Sequence, residues 1–148
     1  SLSFLPYGAC VDHFQHWVYE NHHVTPKERN AKWLELESIY LPNRDYGDIE
    51  FPKTGGIWQG QLHIYQMPFY YIDYTLAQTC AFQFWMKNEN NKEKAWEDYL
   101  RLCKAGGSLP FTKLVELAEL ELPFNDGCLE SVVEHVSQWL DGIDPKEL

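Results

Sequence analysis

An all-α fold is predicted for this 148-residue chain, and three observations predict it. Apolar residues recur at i, i+3, i+4 and i+7 in several segments, helix starts and stops carry capping residues, and no alternation of apolar and polar residues runs long enough for a strand. The length suits one domain able to bury most of a hydrophobic core without covalent staples. No internal repeat or low-complexity tract divides it.

Over residues 6–20, Ala9, Cys10, Phe14, Trp17 and Val18 follow helical spacing, and Pro6 sits in the first turn, where it removes no hydrogen bond. Thr25, Pro26 and Glu28 supply an N-cap, a proline at the first helical position and the acid of a capping box. A second helix therefore runs to about Tyr40, with Trp33, Leu36, Ile39 and Tyr40 inward and Lys27, Arg29, Glu35 and Glu37 in water. Pro42 ends it. Residues 41–56, with two prolines and three glycines, read as a long connection in which Arg44 and Tyr46 are the candidate contact residues. A short helical run over 57–64 leads to Pro68, which opens a long helix from about Phe69 to Lys87. That helix places Tyr71, Tyr74, Gln78, Phe82 and Trp85 on one side and Ile72, Leu76, Cys80 and Phe84 on others. It is apolar nearly all round, and such a helix is expected to be enclosed.

After a polar break at residues 88–91, a helix to about Lys104 turns Ala95, Trp96, Tyr99, Leu100 and Cys103 inward and ends at Gly106 as a left-handed cap. Ser108 caps the next one, which carries Leu114, Val115, Leu117 and Ala118 until Pro123 stops it. The last helix, residues 127–140, is expected to bury Leu129, Val132, Val133, Val136 and Leu140 and to expose His135.

Composition bounds the function classes. Aromatics make up 16% of the chain at a mean hydropathy of −0.44, so large rings are spread through an otherwise polar, ordered sequence. A net charge of −10, with no run among the Lys and Arg residues, argues against a nucleic-acid surface. Cys10, Cys80, Cys103 and Cys128 show no CxxC spacing and read as free thiols of a reducing cytoplasm. The longest apolar region is interrupted by Asp73, Gln78 and Gln83 and does not read as a membrane span, and no signal peptide is expected. The chain opens at Ser1 without a Met, which permits a piece of a longer protein.

The stretch richest in chemistry is residues 61–78, QLHIYQMPFYYIDYTLAQ. Tyr71 and Tyr74, three apart, present two hydroxyls on adjacent turns of one face. A pair of phenols in a partly dry site can stabilise an oxyanion or grip a peptide carbonyl. His63, on the preceding helix, can donate or accept at neutral pH. Aromatics at this spacing also serve as core, and Asp73 among them requires either a structural partner or water.

The block QLHIYQMPFYYIDYTLAQTCAFQFW, with the opening FLPYGACVDHFQHWVYEN and the later EKAWEDYLRLCKAGGS, resembles the C-terminal part of oligoendopeptidase F and its relatives, zinc metallopeptidases of the thimet oligopeptidase-like family. The resemblance covers essentially the whole chain. It implies a helical C-terminal lobe portion of a two-lobed enzyme whose deep channel admits short peptides and excludes folded proteins. It further implies that His63 contacts the substrate backbone, that Tyr74 stabilises the tetrahedral oxyanion, and that Tyr71 or Tyr70 touches the substrate, with Tyr71 favoured for sharing a helix face with Tyr74. Zinc and its glutamate base are implied for the intact enzyme through an H-E-x-x-H helix and a third carboxylate. Those residues are not in this chain: His22 with His23, and Glu134 with His135, have the wrong spacing. The chain thus reads as one all-helical C-terminal segment of a catalytic domain, inactive and without zinc by itself, whose partners are short peptides and the upstream part of the same protein.

Two other readings compete. One is a helical peptide-binding or scaffold module whose Tyr65, Phe69, Tyr70, Tyr71 and Tyr74 line an aromatic groove without turnover. The other is a metal-binding domain using His13, His16, His22 and His23, which would lack carboxylate or thiolate ligands at a recognised spacing.

Overall fold

The structure, a computed structural model, describes residues 2–144. The helices are α1 (Phe4–Glu20), α2 (Pro26–Tyr40), α3 (Glu50–Lys53), α4 (Leu62–Gln66), α5 (Ile72–Asn90), α6 (Lys92–Ala105), α7 (Phe111–Leu117) and α8 (Cys128–Asp141), with a 3-10 turn at Ile57–Gly60 before α4. No strand occurs among the described residues, so the fold is all-α. Two compact units form, one reaching to Thr75 and the other starting at Leu76. The boundary falls inside α5, where no change of composition marks it.

In the first unit α1 packs against α2. Cys10, Val11 and Phe14 from α1, Trp33 and Leu36 from α2, Trp58 from the 3-10 turn and Tyr71 form one buried cluster. Phe14 sits at its centre, 5.3 Å from the Trp33 ring edge-on and 5.1 Å from Trp58. The capping box of α2 is complete: Glu28 N–H donates to Thr25 Oγ1 at 3.3 Å, and Thr25 N–H donates to Glu28 Oε2 at 2.7 Å. Glu37, placed in water by the helical pattern, is instead buried and accepts from Arg44 at 3.4 Å and from the Tyr46 hydroxyl. The connection over residues 41–56 is thereby tied to α2, whereas Ile39, expected inward, is exposed. Gly55 makes the other tie. It has φ +77°, and a Cβ there would lie 2.2 Å from the Asn30 carbonyl oxygen, so only glycine allows this approach.

In the second unit Thr79 and Phe82 are the buried residues of α5, which is not enclosed as its composition predicts. Gln83 clamps the segment after α7, donating to the Glu121 carbonyl at 2.9 Å and accepting from its N–H at 2.8 Å. The α6 pattern is also only half realised, with Ala95 buried but Trp96 and Tyr99 exposed. Asp98 takes the inward place and is fully buried, contacted by Lys87 at 2.5 Å, Lys94 at 2.8 Å and Arg101 at 2.7 Å. Gly106 ends α6 with φ +52° and ψ −132°, which is not the left-handed helical cap expected. The N-cap of α7 is Pro110 rather than Ser108, and the helix stops at Leu117, well short of Pro123, just before Glu119 takes a positive φ of +52°. Lys87 donates to the carbonyls of Ala118 and Glu119 at 3.1 Å and Arg101 to that of Leu117 at 3.0 Å, cations placed at the helix C-terminus. In α8 the buried stripe is Cys128, Val132 and Val136, leaving Leu129, Val133 and Leu140 exposed. His135 is half-buried, packed on Trp85 at 4.9 Å and bonded to Glu89 at 2.6 Å, not free in solvent.

Candidate active site

A helix, a tight turn and a second helix build the site. His63 lies in the first turn of α4, the chain reverses over residues 67–71, and Tyr74 lies in the first turn of α5. The long helix was expected from Phe69, but Phe69 adopts φ +61°, a left-handed conformation that interrupts helical propagation. Its N–H donates to Oε1 of Gln15 at 3.1 Å, and Gln15 is a buried residue of α1. Tyr70 and Tyr71 consequently precede α5, and the turn rather than a shared helix face brings them to Tyr74. Backbone bonds from Tyr70 N–H to Met67 O (3.2 Å) and from Tyr74 N–H to Tyr71 O (3.3 Å) fix that turn.

The four residues singled out in the sequence converge. The His63 ring lies 6.3 Å from Tyr70 and nearly parallel to it, 5.1 Å from Tyr71, and 5.7 Å from Tyr74 at an interplanar angle of 89°. Tyr74 stands edge-on to Tyr70 at 5.3 Å and to Tyr71 at 5.6 Å. Such edge-to-face contacts stabilise each other and hold ring positions.

Exposure separates their roles. Tyr71 is 8% exposed and packs against Phe4 and Tyr7 of α1, as part of the core, whereas Tyr70 is 37% and Tyr74 40% exposed. A hydrogen bond with Tyr70, together with burial, raises the Tyr74 pKa, and burial raises that of Tyr71. Both phenols therefore keep their protons at neutral pH and remain donors. Asp73 faces water.

Behind His63 stands a pair absent from the sequence reading. Gln61 Nε2 lies 2.7 Å from His63 Nδ1, and the Tyr7 hydroxyl donates to Gln61 Oε1 at 2.9 Å. Neither Tyr7 nor Gln15 carries a local motif, since both reach the site from α1 across more than fifty residues of sequence.

The remaining candidates point elsewhere. Tyr65 stacks on Trp58 at 5.8 Å, and Phe69 packs on His16 at 4.8 Å and Tyr19 at 5.0 Å. Of the histidines, His13 bonds the Tyr40 hydroxyl at 3.1 Å, His16 pairs with Asp12 at 3.4 Å, and His22 and His23 stand ring to ring. Among the described residues no group of three His, Cys, Asp or Glu is arranged to hold a metal ion. No described helix is long and apolar enough to cross a membrane.

Residues 2–134 match the model of peptidase family M3. No curated protein matches. Among solved structures, a chain described as oligoendopeptidase F is 56% identical over 98% of this chain, with a TM-score of 0.91. PZ peptidase A, solved with an inhibitor, is 55% identical over 95%, with a TM-score of 0.90. A chain from Bacillus anthracis, also described as oligoendopeptidase F, is 46% identical over 99%, with a TM-score of 0.78. The present chain spans about a quarter of each, namely 26%, 25% and 23% of their lengths.

Proposed function

The chain belongs to peptidase family M3, and from that premise we propose that it is the C-terminal segment of a cytoplasmic zinc oligoendopeptidase and supplies substrate grip and oxyanion stabilisation for hydrolysis of short peptides. The observation that carries this reading is the convergence of His63, Tyr70, Tyr71 and Tyr74, with the exposed Tyr74 phenol held protonated beside Tyr70. In the reaction, the Tyr74 hydroxyl donates to the peptide carbonyl oxygen as negative charge develops on it. His63 and Tyr70 meet the substrate backbone. Tyr71, 8% exposed, backs them from the core side and fixes their rings.

Zinc is implied by the resemblance, but the donor set for it is not found among the described residues, so no step through it is assigned to this chain. The upstream part of the same polypeptide is the natural partner, in keeping with relatives about four times as long and with the exposed faces of α5 and α6. One oxyanion donor is worth roughly a hundred- to a thousandfold in kcat. Tyr74→Phe in the full polypeptide carrying this chain should therefore lower kcat on a quenched fluorescent peptide by about that factor, with KM nearly unchanged. Near-normal kcat would remove Tyr74 from this role.

A further inference from the structure

Gln61 belongs to no part of the catalytic reading above, yet its side chain bonds a His63 ring nitrogen. Its side-chain nitrogen has hydrogens and no acceptor lone pair, so a 2.7 Å contact to Nδ1 requires Nδ1 to accept. A neutral imidazole whose Nδ1 accepts carries its proton on Nε2. The amide oxygen faces Tyr7, whose hydroxyl donates to it at 2.9 Å. Burial pushes the Tyr7 pKa up to about 12, so the phenol keeps its proton throughout the physiological range. Tyr7 is itself fixed, with its ring edge-on to Tyr71 at 5.9 Å and to Trp33 at 6.3 Å. A chain of two hydrogen bonds thus runs from the core of α1 to the ring that faces the substrate.

We infer that Gln61, with its amide oxygen on Tyr7 and its amide nitrogen on His63, is a positioning residue that locks neutral His63 with its proton on Nε2, so that His63 meets the peptide as a donor to a backbone carbonyl oxygen rather than as an acceptor from a backbone N–H. The inference rests on the peptidase reading only for what His63 touches; the tautomer stands independently of it. Hydrogen-bond polarity of this kind selects register. A substrate can seat only where a carbonyl meets Nε2, and a residue whose N–H faces the ring leaves two donors opposed.

The test uses the full polypeptide with histidine labelled by nitrogen-15, read by two-bond proton–nitrogen correlation at a pH where His63 is neutral. The His63 signals are identified by their loss in His63→Ala. In the unsubstituted protein the unprotonated nitrogen should be Nδ1. Gln61→Glu places a carboxylate, which only accepts, at the same contact, and the proton should move to Nδ1. The same substitution should raise KM for a short peptide by about three- to tenfold, the worth of one hydrogen bond, with kcat changing by less than about twofold. Tyr7→Phe, which frees the amide to turn, should give a mixture of the two tautomers. A proton on Nδ1 in the unsubstituted protein, or a tautomer that Gln61→Glu leaves unchanged, overturns the lock. If the tautomer reverses as expected while His63→Ala leaves KM unchanged, the lock stands and it is the substrate contact of His63 that fails.

Discussion

The choice between Tyr70 and Tyr71 turns on the left-handed backbone at Phe69. With Phe69 at φ +61°, the chain bends so that Tyr71 drops into the core beside Phe4 and Tyr7 while Tyr70 stays outside with Tyr74. On the proposed reading, Tyr70, 37% exposed against 8% for Tyr71, is the one of the pair open to a substrate. Tyr70→Phe should raise KM for short peptides by about three- to tenfold, the range of a single net hydrogen bond, whereas Tyr71→Phe should leave KM within about twofold because its ring packing is retained. Steady-state kinetics on the two variants checks this, and equal effects would return Tyr71 to the substrate side. Glu37 shows the same principle away from the site. On a helical wheel it is solvated, and only Arg44 and Tyr46, arriving from the following connection, make its burial affordable.

At the scale of elements, α2 is the most locally specified. Thr25, Pro26 and Glu28 carry its whole start within four residues, and the capping box forms as expected. Thr25→Ala should cost about 1 kcal/mol of helix stability. Amide exchange in the first turn of α2 should then speed by about fivefold, with amides in α8 unaffected. Helix α5 is the counterexample. Its proline signal at Pro68 is real, yet the helix starts at Ile72, because Gln15 of α1 captures the Phe69 N–H and stabilises a conformation that local propensity disfavours. Helices α6 and α8 keep their extents but not their predicted inward faces. Their apolar residues outnumber the positions that neighbouring elements cover, so Trp96, Tyr99, Leu129 and Val133 remain exposed.

At the scale of the whole molecule, the largest buried electrostatic feature is the Asp98 network. Lys87 of α5, Lys94 and Arg101 of α6 and Glu119 beyond α7 meet around one fully buried carboxylate. Hydrogen bonds from Lys87, then Lys94, hold the Asp98 pKa down to about 2 from an ordinary 3.8, against the opposing effect of burial. A carboxyl whose folded pKa is depressed contributes stability above its unfolded pKa and loses it as pH falls toward the folded one. Asp98→Asn should accordingly lower Tm at neutral pH, because Lys87 loses its carboxylate partner and Lys94 and Arg101 keep only Glu119. The gap to the unsubstituted protein should narrow as pH falls from about 4 to about 2. Thermal melts of both proteins across that range test it, and a gap independent of pH would show that the network does not stabilise through its charge.

By itself the sequence determined the helical class, the start of α2, the spacing that carries the family resemblance and the four side chains that gather at the candidate site. These are local properties, set by capping chemistry, periodicity and residues at most eleven apart from His63 to Tyr74. Only the tertiary structure decided which tyrosine is buried, where α5 begins, why Glu37 and Asp98 lie inside, and that Tyr7 and Gln61 stand behind His63. Most of these depend on a partner from another element: Gln15 at Phe69, Phe4 and Tyr7 at Tyr71, Lys87 at Asp98 and Tyr7 at Gln61. Burial of a polar group is stable only once its partner is in place. No local pattern records such a partner, because its position along the chain is set by packing rather than by spacing.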